Sequence, residues 1–387
     1  MSEPDQNNTL PEVRQFFKKL LLFLLPLILV FPPPFFVFYF SGELTPMPTI
    51  VEKQRSNNLV LYGPSYFTEL PEGPIRPITI HERQPKILAL GDSRVLQFRS
   101  KFFKDSKNFY NGGGLIDELD DFKKIIAGIS IGAEPKLLLM DLEQDQFISF
   151  SANATANSTS TIRRINYWIN GWRKAYFDFF LGKYSISDLL ASNPGQDGVF
   201  RIGLNARANN NGMRNDGSYF YGKYTSEVHE RPNFDESYRQ IREGAGSFAY
   251  ANDVAPGSIA TVEAFLGYAK SRGIYVIGFL PPFPHAIYTV VHSGAHEYGY
   301  LDKLEPLLAP IFKKYGYAFY NFSDLADLGA TDKETIDGLH VSEKATLRLF
   351  IKMAEQNFTL QNYVDLPYLK EKLAGATGAY NVFGNEF

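Results

Sequence analysis

The chain contains no cysteine among its 387 residues. A disulfide framework and a thiolate metal site are therefore excluded. It also has no excess of positive charge, with 39 Lys and Arg against 42 Asp and Glu and a net charge of -3. The basic footprint of nucleic-acid binding is absent, so no nucleic-acid partner is expected. Phosphate-handling loops are missing too: neither a Walker-type Gly-Lys-Ser/Thr nor a Gly-x-Gly-x-x-Gly follows the first buried strand. His292 and His296 have i,i+4 spacing, but the zinc-hydrolase pattern does not follow and Gly294 weakens a helix there. With His285 they read as polar surface histidines; no metal and no cofactor is expected. No internal repeat is evident.

What is present is a large apolar and aromatic complement, 44% hydrophobic with 33 Phe and 23 Tyr, enough for a sizeable core. Residues 20–40 carry no charge, close to the roughly 20 residues a spanning helix needs. Arg14, Lys18 and Lys19 precede this run and Glu43 follows it, which predicts residues 1–19 in the cytoplasm and the body outside. No small-residue cleavage pattern follows, so the segment reads as a retained, single-pass signal anchor. Pro26 and Pro32–Pro34 oppose a straight helix. Residues 41–84, rich in Pro, Thr and Glu, read as a stalk, and residues 361–387 as a C-terminal tail.

From residue 85 to 360 strands and helices alternate. Apolar runs at Ile87–Leu90, Asn108–Tyr110, Leu137–Met140, Ile274–Leu280 and Tyr317–Tyr320 read as buried strands. Helices are expected over Arg94–Phe103 and Leu115–Ile126. Others follow from the faces Ile259, Val262, Leu266, Ala269 and Leu304, Leu307, Leu308, Ile311. A last one, capped by Ser342, carries the face Leu347, Phe350, Ile351, Ala354. Such alternation predicts an α/β fold with a parallel sheet covered on both faces. Residues 150–257 interrupt it, with turn signals at Asn209–Gly212 and at Asp216-Gly217 before Ser218–Tyr221, compatible with a hairpin. This large insertion reads either as a lid or acceptor-binding subdomain or as an elaboration of one sheet edge.

In parallel sheets ligands bind beyond the carboxyl ends of the strands. Ser93, Gly112–Gly114, Asp141 and Pro281 all fall just past expected strand ends, and Asp337 and His340 lie in the loop after the last strand. A serine hydroxyl needs a base to remove its proton; His340 can be that base and Asp337 can orient it. Backbone N–H groups at the turn after Ser93, with one from Gly113 or a neighbour, can stabilise an oxyanion. Arg94 reads either as a ligand for a substrate carboxylate or phosphate or as a solvated helix start. Asp141 is either a hydrogen-bonding partner behind the site or a strand terminator.

These motifs resemble the SGNH, or GDSL-like, hydrolase superfamily. Gly91-Asp92-Ser93 is similar to its first block, the glycines after Asn111 to its second, and Asp337-Gly338-Leu339-His340 to its final DxxH block. The Gly-x-Ser-x-Gly elbow of α/β-hydrolases is absent, since Val95 stands at its last glycine. The resemblance implies a flavodoxin-like three-layer α/β/α sandwich of SGNH type and a Ser93, Asp337, His340 triad. The third block departs: its oxyanion asparagine is missing from Met140–Gln146, leaving Gln144 or Gln146 as possible substitutes. With the anchor, the chain looks like the divergent proteins of cell-envelope O-acylation, such as partners in alginate and peptidoglycan O-acetylation and the D-alanyl transfer protein of teichoic acids. That likeness implies an O-acyltransferase or esterase acting on a cell-surface glycan or acylated carbohydrate, beside the membrane and a multi-spanning membrane acyltransferase. A catalytically inactive glycan- or partner-binding module is the alternative.

Overall fold

The computed structural model describes residues 9–30, 32–56, 58–66, 75–148, 161–222 and 232–384. Parts of the insertion and the histidine at position 229 lie outside them. Among the described residues nine strands form two sheets. In chain order they are β1 (Leu59–Tyr62), β2 (Ile87–Gly91), β3 (Phe109–Gly113), β4 (Leu137–Asp141), β5 (Val199–Ile202), β6 (Asn211–Met213), β7 (Tyr219–Tyr221), β8 (Tyr275–Leu280) and β9 (Ala318–Asn321).

The larger sheet is five-stranded, in the order β3-β2-β4-β8-β9, and every pairing in it is parallel. Side chains alternate between faces along each strand. Leu88, Leu90, Leu138, Met140 and Val276 join one core with the helices Asp121–Ala127, Ser258–Ser271 and Leu301–Tyr315. Ile87, Ala89, Leu137, Leu139 and Ile277 join the other with the helix Glu343–Gln356. Two cores on opposite faces account for why these strands are apolar throughout rather than alternating. The chain runs from β2 out to β3 and then back across to β4, so the strand order reverses beside β2. That reversal opens a crevice at the carboxyl ends of β2 and β4, the usual ligand position in such sheets.

The stretch expected as a stalk is folded. It carries the helices Met47–Arg55 and Ile75–Arg83 and strand β1, which is the second strand of the four-stranded sheet β5-β1-β6-β7. β1 pairs in parallel with β5, antiparallel with β6. Val60 and Tyr62 bury against Met47, Ile50 and Ile202, which explains why this Pro-rich segment holds structure without obvious periodicity. Residues before the main domain and residues of the insertion thus build one sheet together. The hairpin expected at Asp216-Gly217 is the β6–β7 pair.

The two sheets are tied by a buried charge cluster. Arg99, 1% exposed, pairs with Glu343 on the last long helix, and its Nε lies 3.7 Å from Asp216 on the hairpin. Arg214 approaches the same Glu343 at 3.9 Å. The described residues of the C-terminal tail pack onto the domain: Leu369 and Phe383 are buried in the second core, and the Val382 and Phe383 N–H groups donate to Glu343.

At the N-terminus two helices, Thr9–Val30 and Pro32–Ser41, stand where one span was expected. No single helix among the described residues is long and apolar enough to cross a membrane; the pair passes by length and composition, bent by 55°. Pro32–Pro34 lack the N–H groups needed to continue the first helix, which accounts for the break. The second helix buries Pro34, Val37 and Phe38 against the body. Glu43 locks that junction, accepting N–H bonds from Ser65 (2.7 Å), Tyr66 (3.1 Å) and Leu204 (2.8 Å).

Candidate active site

β2 ends at Gly91, and the chain turns at once into a short 3₁₀ turn, Ser93–Val95. A second such turn, Ser100–Phe102, follows, so the helix expected over Arg94–Phe103 does not form. The reason is visible in the partners: Val95 and Phe98 carbonyls accept from the buried Asn111 side chain (2.8 and 3.0 Å), and Leu96 O accepts from Tyr219 N–H (2.9 Å). These bonds replace the i→i−4 ladder and fix the exit from β2. Gly91 is needed for close approach, since a Cβ there would lie 2.5 Å from the Asp141 Cβ.

Ser93, Asp337 and His340 meet at this exit. His340 Nε2 lies 2.8 Å from Ser93 Oγ, and its Nδ1 lies 3.0 and 2.9 Å from the two Asp337 oxygens. The Asp337 carboxylate is itself held, accepting the Leu339 and His340 N–H groups at 2.8 Å each. A three-residue spacing in a loop lets the acid fold back onto the ring. Burial raises the pKa of Asp337, but the hydrogen bond and charge of His340 outweigh it and the net shift is downward. Burial likewise disfavours the His340 cation, yet the bond to Asp337 and its charge hold the His340 pKa above the ordinary imidazole value. The arrangement fixes the tautomer by geometry: Nδ1–H toward the carboxylate and Nε2 free to accept from the serine O–H.

Arg94 is neither solvated nor open to a ligand. It is buried, its guanidinium donating to Gln144 Oε1 (2.7 Å), Glu143 (3.2 Å) and the Pro281 carbonyl (2.9 Å) while stacking over Phe283 at 4.6 Å. It ties the ends of β2, β4 and β8 together. The oxyanion donors suggested by sequence are also committed elsewhere. Gln144 Nε2 donates to Pro281 O (2.7 Å), Gln146 Nε2 to Ile116 O (3.1 Å) and the Gly113 N–H to Asn111 Oδ1 (2.8 Å). In the turn that Ser93 opens, the Ser93 N–H donates to the Asp92 carboxylate, so the backbone donors to consider for an oxyanion are the N–H groups that follow it.

A group of acids lies behind the serine. Asp141 is fully buried with no hydrogen-bond partner for its carboxyl, and burial pushes its pKa well up, with the nearby Glu143 adding to the effect. Glu143 is pushed up to about 7 by burial, against the pull of Arg94. Asp92 is raised by burial and by Asp117, and Asp145 by burial. Beside them runs an acidic cleft of about 480 Å³ that includes Asp117, Glu118, Asp120 and Asp145. Burial thus biases the acids behind the serine toward their neutral, protonated forms, while Asp117, Glu118 and Asp120 along the cleft are exposed.

Sequence reasoning missed the contribution of the insertion. Asn233 forms a parallel bridge with Asp337, and Gln97, just past the serine turn, donates to Tyr219 O on β7 at 2.9 Å. Asn111 was visible only as the residue before three glycines; its buried amide in fact staples the serine turn to β3. Three histidines outside the site have their own partners: His285 with Asp324 (3.0 Å), His292 with Asp302 (3.6 Å) and His296 with the Tyr250 hydroxyl (3.1 Å). Among the described residues no three His, Asp or Glu side chains are grouped to hold a metal ion.

No protein-family model, no curated protein and no solved structure matches this chain.

Proposed function

We propose that the chain is a serine acyl-transfer enzyme of SGNH type, held at a membrane by its N-terminal helix pair and facing away from the cytoplasm. The observation that carries this reading is the unbroken relay from Asp337 through His340 to Ser93. The strand order around β2 and the placement of all three residues at one sheet rim add support.

In the proposed cycle His340 Nε2 takes the Ser93 proton as Oγ attacks the carbonyl carbon of an acyl donor. Backbone N–H groups of the turn receive the developing oxyanion. The tetrahedral adduct collapses, the donor oxygen leaves with the proton from His340, and an acyl-serine remains. His340 then deprotonates an acceptor hydroxyl, which attacks the acyl-serine; collapse frees Ser93, which takes the proton back. A glycan hydroxyl as acceptor makes this an O-acyltransferase and water makes it an esterase. No cofactor enters either half.

The engaged amides of Gln144 and Gln146 and the engaged N–H of Gly113 favour a second reading, an SGNH-like module that binds a glycan or a membrane acyltransferase without turnover. A fluorophosphonate probe separates the two. The full chain is used, because Val37 and Phe38 of the anchor helix are part of the folded body. Labelling mapped to Ser93 and lost in His340→Ala supports the enzyme. A folded protein that never labels supports the binding module.

A further inference from the structure

Among the described residues of the body, a group of exposed apolar side chains gathers at one place. The helix Thr161–Phe180 and the short helix Ile186–Leu190 bring Phe177, Phe179, Phe180, Leu181, Ile186 and Leu190 to the surface, with Phe180 80% and Leu181 68% exposed. Patches of this kind on a soluble face are costly and mark a contact surface. They surround the helix Pro32–Ser41, whose Phe35, Phe36, Tyr39 and Phe40 are exposed as well. Between the two sets runs an apolar groove of about 530 Å³, lined among others by Pro33, Phe36, Val37, Phe179, Tyr184 and Leu189.

Two further facts bear on the occupant. The patch is continuous with the helix pair Val13–Leu27 and Pro32–Ser41, which has the length and composition of a bent membrane span. Its charges are mixed with a basic excess: Arg173, Lys174 and Lys183 are exposed there, against Asp178, buried and paired with Lys183 at 2.8 Å, and the half-buried Asp188 of the short helix. Aromatic and aliphatic side chains bordered by a basic excess are the composition of a helix lying in the headgroup boundary, its apolar side roughly 5–10 Å deep.

We propose that the end of the helix Thr161–Phe180 and the helix Ile186–Leu190 form a second membrane foot, seated in the lipid leaflet into which the N-terminal pair inserts, with leaflet acyl chains filling the groove. The proposal rests on the membrane anchoring proposed above and goes beyond it. It gives this part of the insertion a role distinct from a lid, and it fixes the body against the bilayer at two points rather than on a stalk. A body held so has a defined tilt, and its serine rim a defined height above the lipid surface.

The absence of native cysteine makes the test direct. Single variants Phe180→Cys and Ile186→Cys, with Leu22→Cys in the N-terminal helix and Ile131→Cys on a loop remote from the patch, are spin-labelled in the full chain. The chain is reconstituted into vesicles of phosphatidylcholine and phosphatidylglycerol, after matching unfolding midpoints show that each variant is folded. Collision with oxygen reports lipid and collision with a nickel chelate reports water. The expected result is an oxygen-to-nickel ratio severalfold higher at positions 180 and 186 than at 131. Nickel access at 180 and 186 like that at 131, with a lipid signal at 22, overturns the foot and leaves the anchor standing. Aqueous signals at 22, 180 and 186 together overturn the anchoring itself. Loss of both oxygen and nickel access at 180 and 186 also overturns the proposal, because protein and not lipid then covers the face.

Discussion

Ser93 Oγ and His340 Nε2, 247 positions apart in the chain, are brought within 2.8 Å by the loop that runs from β9, at the far edge of the sheet, back to the carboxyl end of β2. A hydroxyl at that distance from an imidazole nitrogen is positioned to lose its proton along the existing hydrogen bond. Ser93→Ala and His340→Ala are each expected to lower ester turnover by about 10⁴-fold or more, because members of such a unit fail together. Asp337→Asn is expected to cost about 10⁴-fold as well by favouring the wrong tautomer. Ser93→Ala leaves the unfolding midpoint nearly unchanged, whereas His340→Ala and Asp337→Asn lower it by the loss of their mutual interaction. Turnover of an aryl ester by Ser93→Ala at the wild-type rate would falsify the assignment of the nucleophile.

The base must be neutral to act, and His340 is held above the ordinary imidazole value by Asp337. The rising limb of kcat/KM against pH is therefore expected above about pH 6.5, the unperturbed histidine range. In Asp337→Asn the charge and the acceptor are lost together, so the limb moves to lower pH even as the plateau drops. A limb that stays in place in that variant excludes Asp337 as the cause of the shift.

Arg94 is a strut, and its removal should be felt as lost stability. Arg94→Ala leaves the Glu143 carboxyl buried without its partner and strips donors from Gln144 and the Pro281 carbonyl. Breaking a buried pair in this way costs about 3–5 kcal/mol. Arg94→Lys recovers only part, since one ammonium cannot reproduce a planar fork reaching three acceptors. Urea unfolding of the three proteins checks the order wild type, lysine variant, alanine variant. If Arg94→Ala unfolds like wild type while substrate KM rises, the residue binds ligand after all.

Most of the larger sheet was legible because its strands are short apolar runs ending at glycine, aspartate or proline, a signal that survives without context. The placement of Ser93, Asp337 and His340 on one rim followed from those ends. What stayed hidden depends on contacts between distant segments. β1 lies in a stretch dominated by turn-forming residues, and its strand character comes from pairing with β5, some 140 residues later. The segment after Ser93 has helical composition but is pulled into two 3₁₀ turns by Asn111 and by the β7 backbone. Gln144 and Gln146 were plausible oxyanion donors by position alone, but in the fold Pro281 O and Ile116 O, contributed by distant segments, already hold their amides.

The buried acids near Ser93 set an opposition between stability and activity. Glu143 is pushed up to about 7, and Asp92, Asp141 and Asp145 are also raised, burial being the largest cause for each. An acid whose pKa is higher in the folded state holds its proton there more tightly than in the unfolded chain. Its contribution to stability is complete below the unfolded pKa, about 4.3 for glutamate, and is lost as pH rises through the folded value. His340, also raised, acts in the same direction over a higher window. Asp337, Asp216 and Glu343 are lowered and act oppositely, their contributions being lost only as pH falls below the carboxylate range. The unfolding midpoint is therefore expected to fall as pH is raised from about 5 to about 8, over the range in which the base becomes competent. Glu143→Gln keeps the shape and the bond to Arg94 but cannot ionise, so its midpoint should decline less steeply over that range. Calorimetric scans of both proteins at matched ionic strength decide it. Parallel slopes would assign the decline to the other buried acids and His340, and a wild-type midpoint that rises from pH 5 to 8 would mean that Glu143 is ionised in the fold and stabilised by Arg94.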